Sequence, residues 1–210
     1  MKPKKPHGGR EAAERYFKQG LEMWRSGRLE EAQDALGQCL SIDPKNAPAY
    51  SARAGLNHWL GRHREALEDI SRALSLRPDH IGDLHNRAVV LASLGRQAEA
   101  IREYESVLSR EPSSAGTLNN LAWLLATADD PALRDCRRAI DCARRAVEAT
   151  RNPAWLDTLA AAHAECGDFD SAVKIETEAL KLSKPPNPDF EKRLELYRRG
   201  ISYADWIDSH

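Results

Sequence analysis

Two asparagines, Asn86 and Asn120, stand 34 residues apart in segments otherwise rich in small and apolar side chains. Asparagine is a poor mid-helix residue because its amide competes with the backbone for hydrogen bonds. Its recurrence at a fixed interval therefore calls for a use. A carboxamide donates and accepts at once, which suits the backbone of an extended peptide. The plainer use is a solvated side chain, or a contact between neighbouring segments. Phe17, Trp24, Trp59 and Trp123 offer a second kind of chemistry, since aromatic rings give much contact area for little lost rotamer freedom. Each ring serves equally well in a core.

Reactive constellations are missing from the sequence. There is no glycine-rich phosphate loop, no GxSxG elbow and no HExxH pair, and Gly8-Gly9 follows no strand. Of the histidines, His58 and His85 could meet on neighbouring helices, but a metal site needs three or four ligands in fixed geometry. The four cysteines, Cys39, Cys136, Cys142 and Cys166, form no CxxC pair. They are expected to be reduced thiols of a cytoplasmic protein, with no catalytic role. No enzymatic activity, cofactor or metal is expected.

The elements that must position these residues announce themselves by repetition. Asp43-Pro44, Arg77-Pro78 and Glu111-Pro112 follow one another at intervals of 34 residues, as do Gly27, Gly61 and Gly95; Gly167 lies 72 residues beyond Gly95. With segments aligned from residues 13, 47, 81, 115 and 153, small residues fall into register. The eighth position holds Gly20, Ala54, Ala88, Ala122 and Ala160. The twentieth holds Ala32, Ala66, Ala100 and Ala172, with Ala139 displaced by an insertion. The twenty-seventh holds Cys39, Ala73, Val107, Ala146 and Ala179. Small side chains let helix axes approach while larger ones fill the grooves between them. A glycine ends each first helix in the left-handed conformation, and a proline stops each second helix. Apolar residues at three- and four-residue spacing, as in 65–74 and 98–108, agree with helices throughout.

This pattern resembles the tetratricopeptide family, whose unit is a 34-residue helix–turn–helix. The segment 120–127 with its following loop, and 156–162, look like a subset of bacterial members. The resemblance implies an all-α fold: a right-handed superhelical array of about five units, 13–46, 47–80, 81–114, 115–152 and 153–186. Residues 1–12 are expected to be a disordered basic tail, and 187–210 a capping helix and tail, with Asn187-Pro188 as the helix start and Phe190, Leu194, Tyr197 and Ile201 on one face. Residues 129–136 replace the glycine turn of the fourth unit.

In such arrays the first helices line a concave groove. By position the resemblance assigns to it Phe17, Leu21, Trp24 and Arg25; Ser51, His58 and Trp59; His85, Asn86 and Val89; Asn119, Asn120 and Trp123; and Asp157, Thr158 and Glu165. The family's two-carboxylate clamp for chaperone tails is absent, because Phe17, Leu21, Ser51 and Gly55 stand where its Lys and Asn residues are required. Lys and Arg total 31 against 32 Asp and Glu, a net charge of −1, so neither nucleic acid nor a membrane surface is an expected partner. The expected function is a non-catalytic scaffold that binds a protein or peptide, the alternative being self-assembly through the end units or the convex face.

Overall fold

The computed structural model describes residues 7–209, and every regular element among them is helical. The chain divides at Arg96/Gln97 into two compact units. The first holds α1 (His7–Arg25), α2 (Leu29–Ile42), α3 (Ala47–Trp59), α4 (His63–Leu76) and α5 (Ile81–Ser93). The second holds α6 (Gln97–Arg110), α7 (Ala115–Thr127), α8 (Cys136–Ala149), α9 (Pro153–Glu165), α10 (Phe169–Leu182), α11 (Pro188–Arg198) and the short α12 (Tyr203–Asp208). A single 3-10 turn, Pro131–Leu133, lies between α7 and α8. Along the chain these are five consecutive helix pairs followed by two further helices.

The expected registers are among the most deeply buried positions. Ala32, Ala66, Ala100, Ala139 and Ala172 are each 0% exposed, as are Cys39, Ala73, Val107, Ala146 and Ala179. Gly20 shows how tight the contact is: a Cβ there would stand 2.8 Å from Cγ of Leu36 on the paired helix. Gly27, Gly61, Gly95 and Gly167 all adopt positive φ, between +73° and +78°. The amide after each glycine reaches back to close the helix, as in Arg28 N to Met23 O at 2.9 Å and Arg62 N to Asn57 O at 2.8 Å. Side-chain caps start the helices that follow proline or aspartate signals. Asn46, Asn152 and Asn187 each accept an amide hydrogen bond ahead of a proline-containing first turn, and Asp135 and Asp168 accept one at α8 and α10.

Two expectations are corrected. Helix α1 begins at His7, so residues 7–12 are helical and not part of a disordered tail; residues 1–6 lie outside the described residues. The cysteines are not all free thiols. Cys136, at the start of α8, forms a disulfide with Cys166, which caps α9, while Cys39 and Cys142 remain free and buried. The pairing of α8 with α9 brings the two together across 30 residues of sequence. The reduced-thiol argument for a cytoplasmic location therefore loses its support. No helix among the described residues is long and apolar enough to cross a membrane.

The disulfide ties the irregular loop before α8 to the end of α9. Closing a loop of this length restricts the unfolded chain by about 3–4 kcal/mol. Reduction, or Cys136→Ser, should lower the denaturant midpoint of the second unit while leaving a probe in the first unit, such as fluorescence of a variant retaining only Trp24 and Trp59, unchanged. Equal unfolding of oxidised and reduced protein by a second-unit probe would contradict this.

Candidate functional site

In the first unit, five of the expected groove residues converge. Trp24 from α1, His58 and Trp59 from α3, and Asn86 and Val89 from α5 line one cavity of about 290 Å³, together with Ala54, Gly55, Ile70 and Val90. Its position follows from the local sequence. Gly55 has no side chain, and the Trp24 indole lies where one would be: a Cβ on Gly55 would meet Trp24 Cη2 at 2.7 Å. Ala54 and Ile70 form a buried apolar floor, 1% and 0% exposed. Gly55, Ala54, Ile70 and Val90 were not among the expected site residues. The one sequence signal was a glycine inside a helix, costly unless something packs against it.

The cavity joins an apolar floor to polar tips. Trp59 is 66% exposed, the most solvent-exposed of the large hydrophobic side chains described. That exposure has no use in the fold, since burying an indole is favourable. Asn86 is also exposed. The His58 Nδ1 atom is buried without a hydrogen-bond partner, and its ring lies 5.1 Å from that of His63. Burial, and next the neighbouring His63, hold its pKa below the ordinary imidazole value. His58 is therefore neutral at pH 7 and can accept or donate one hydrogen bond. A larger depression of about 670 Å³ on α1 is lined by Arg10, Glu11, Glu14, Arg15, Lys18, Gln19 and Glu22. It is the flank of one helix and has no apolar anchor, so it fits a binding site less well.

The other first-unit residues fare differently. Phe17 is half-buried against the α1–α2 core, Leu21 is half-buried and Arg25 is exposed. His85 is half-buried, and burial lowers its pKa. Ser51 is committed to the fold. Its hydroxyl lies 2.7 Å from Asp83 Oδ1, and Arg77 binds both Ser51, at 2.9 Å, and Asp83, at 2.8 Å. Asp83 is 1% exposed, so this network links α3, the end of α4 and α5 through a buried charge that is fully paired.

The second unit does not present an open face at the expected positions. Asn120 shares a side-chain hydrogen bond with Tyr104 of α6, whose hydroxyl burial pushes up to about 12. Its amide is thus engaged between neighbouring repeats. Asn119 is half-buried, with a buried Oδ1 that has no partner. Trp123 is covered: the Tyr203 ring lies 5.8 Å away and the Arg193 guanidinium 5.5 Å from its centroid. Asp157 and Thr158 are 5% and 3% exposed and do not line an open groove. The reason is α11. Its Arg193 forms a bidentate ion pair with Asp157 at 2.5 and 3.0 Å, with both partners buried.

Beside this pair lies Glu176 of α10, 0% exposed, with neither carboxyl oxygen in hydrogen-bond geometry with a partner. Burial, then the Asp157 charge, push its pKa up to about 9. Burial also raises Asp157, outweighing the attraction of Arg193. The Tyr197 hydroxyl is likewise buried and unpartnered. This cluster is buried where α9, α10 and α11 meet. Among the described residues, no group of three or more His, Cys, Asp or Glu side chains is placed to hold a metal ion.

The helix pairs and their turns are those of tetratricopeptide-repeat proteins of known structure. MamA, residues 41 to its end, from Desulfovibrio magneticus RS-1 is 19% identical, with a TM-score of 0.71 over 83% of this chain and 96% of that one. TTC0263 from Thermus thermophilus is 18% identical, with a TM-score of 0.67 over 90% of this chain and all of that one. YrrB, described as a TPR protein with an unusual peptide-binding site, is 14% identical, with a TM-score of 0.64 over 88% and 89% of the two chains. Among curated protein sequences, none matches. The protein is therefore a tetratricopeptide-repeat protein in fold. The bacterial transcriptional activator domain model matches residues 3–117, more than half of the 210, and the chain belongs to that family.

The buried glutamate makes stability depend on pH. The folded chain holds the Glu176 proton more tightly than the unfolded chain, whose value is the ordinary 4.5. Its contribution is complete below about pH 4.5 and is lost as pH rises toward about 9. The melting temperature of the second unit should fall between pH 6 and pH 9, and Glu176→Gln should flatten that slope, leaving the variant the more stable by several degrees at pH 9. Parallel melting curves for the two proteins across this range would refute the assignment.

Proposed function

We propose that the protein is a non-catalytic interaction scaffold that captures a peptide or partner helix at the first-unit cavity. The observation that carries this reading is the convergence of Trp24, His58, Trp59, Asn86 and Val89, from three successive first helices, on one cavity whose Trp59 rim is 66% exposed. A floor of Ala54 and Ile70 takes an apolar side chain. The Trp24 and Trp59 rings flank it, and Asn86 and neutral His58 hydrogen-bond the backbone that carries it. The peptide-binding description of YrrB supports this use of the fold. The family's name associates such domains with bacterial transcriptional activators. The partner carried over from that association is a protein, since a net charge of −1 supplies no general attraction to phosphate backbones.

A dodecapeptide library displayed on phage, selected on the immobilised chain, should enrich peptides with an aromatic or aliphatic anchor. Fluorescence anisotropy should give Kd values in the micromolar range, because ordering a flexible peptide offsets much of the contact energy. Trp59→Ala should weaken these peptides at least tenfold, roughly 1.4 kcal/mol or more, with an unchanged melting temperature because the ring is exposed. Gly55→Val, which displaces the Trp24 ring, should weaken them similarly. Equal affinity for wild type and both variants would eliminate the cavity as the binding site.

A further inference from the structure

The segment after α11 turns at Gly200, whose φ of +69° allows a sharp reversal, and lays α12 back onto the first helices α7 and α9. Tyr203 and Trp206, three residues apart, stack on each other with centroids 5.9 Å apart and planes 14° from parallel. Tyr203 also meets Trp123 of α7 and lies 5.2 Å beneath the Arg193 guanidinium. Lys192 Nζ stands 3.5 Å over the Trp206 ring. At the far end, Asp208 accepts a 2.8 Å hydrogen bond from Arg134 Nη2. Arg134 belongs to the loop that replaces the glycine turn of the fourth pair, and its guanidinium is also held by Ala128 O and lies 3.9 Å from Glu165. The loop insertion thus ends in a prepared, largely buried cation for a carboxylate.

The burial of α12 is nevertheless partial. A six-residue helix has almost no stability of its own. Only Ser202 and Ala204 are buried in this segment, while Tyr203, Trp206 and Ile207 are half-buried and Asp208 is exposed. Ile201, Tyr203 and Trp206 pack, half-buried, against the cluster of Ala160, Ala161, Ala164, Ala172, Leu196 and Tyr197, and the remaining contacts are aromatic faces under cations and one rim ion pair.

We propose that the α7–α9 face of the second unit, with Trp123 and the Arg134, Lys192 and Arg193 cations around it, is a docking surface for a short helical segment carrying two aromatic residues three apart and a carboxylate two residues after the second, and that α12 is a built-in ligand that a partner segment of this chemistry displaces. The surface shares no residue with the first-unit cavity, so the two proposals stand or fall separately. Tethering gives α12 an effective concentration near the millimolar range. A free segment of similar intrinsic affinity therefore binds the wild type weakly and a released surface well.

The probe is a fluorescein-labelled peptide with the sequence of residues 200–210, titrated against the full chain. Tyr203→Ala with Trp206→Ala releases α12 without altering the surface, and this variant should bind the peptide at least tenfold more tightly than the wild type. Adding Arg134→Leu to it should remove most of that gain, and Trp59→Ala should leave it unchanged. Equal peptide binding by the wild type and a double variant that unfolds like the wild type would overturn the proposal. Should the double variant fail to fold, hydrogen exchange on the unaltered protein decides. Amides of 203–208 should exchange at least a hundredfold faster than those of α11, and equal protection would show α12 to be a fixed part of the cap.

Discussion

The structure depends on close approach between helices, made possible by side chains no larger than a methyl group at recurring positions. Ala32 and Ala66 in the first unit, and Ala139 and Ala172 in the second, have no exposed surface at all. Each sits where its helix meets its pair, and protein interiors leave no room there for added volume. Where even a methyl group is too much the chain uses glycine, as at Gly20 under Leu36. The larger residues Leu36, Leu56, Ile70, Leu118, Leu121 and Leu125 then fill the spaces between ridges and are also fully buried or nearly so. Glycine turns and asparagine caps fix where each helix stops and starts, but the paired small residues allow one pair to rest on the next.

The same plan produces opposite surfaces in the two units. In the first, Trp24 rests on Gly55, Trp59 is left exposed and a cavity remains between them. In the second, α11 brings Arg193 onto Asp157, and α12 brings Tyr203 onto Trp123. Two departures from the repeat account for the difference. One is the chain beyond residue 187, which supplies both helices. The other is the loop before α8, which supplies Arg134 and the Cys136 end of the disulfide. The irregular parts of the sequence decide which positions along the regular array stay open.

Much of the fold was legible because its signals are local. Gly27, Gly61, Gly95 and Gly167 marked the turns they occupy, and Asn187-Pro188 marked the start of α11. The repeat positions also led to Trp24, His58, Trp59, Asn86 and Val89, which line one cavity in the first unit. Counting positions does not give exposure where a later element intervenes. Asp157 and Thr158 occupy groove positions yet are buried, and the Arg193 that pairs with Asp157 comes from the chain's end and not from the repeat. Asn86 and Asn120 are equivalent by count, but Asn120 bonds Tyr104, whose counterpart 34 residues earlier is Ile70. The Cys136–Cys166 bond joins residues that no short motif connects, and only the pairing of α8 with α9 makes them neighbours. Residues 7–12 read as a polar tail because glycine and charge dominate there, although Ala12 and Ala13 give the α1 helix an anchored continuation.

The measurement that bears most directly on the central constraint is urea unfolding of Ala66→Leu beside Glu65→Leu. The two substitutions introduce the same side chain at adjacent positions of α4, one with no exposed surface and the other exposed. Overpacking at Ala66 should cost about 1–3 kcal/mol or more and lower the unfolding midpoint accordingly, while Glu65→Leu should stay within about 0.5 kcal/mol of wild type. Indistinguishable midpoints for Ala66→Leu and wild type would show that close helix approach does not hold this array together.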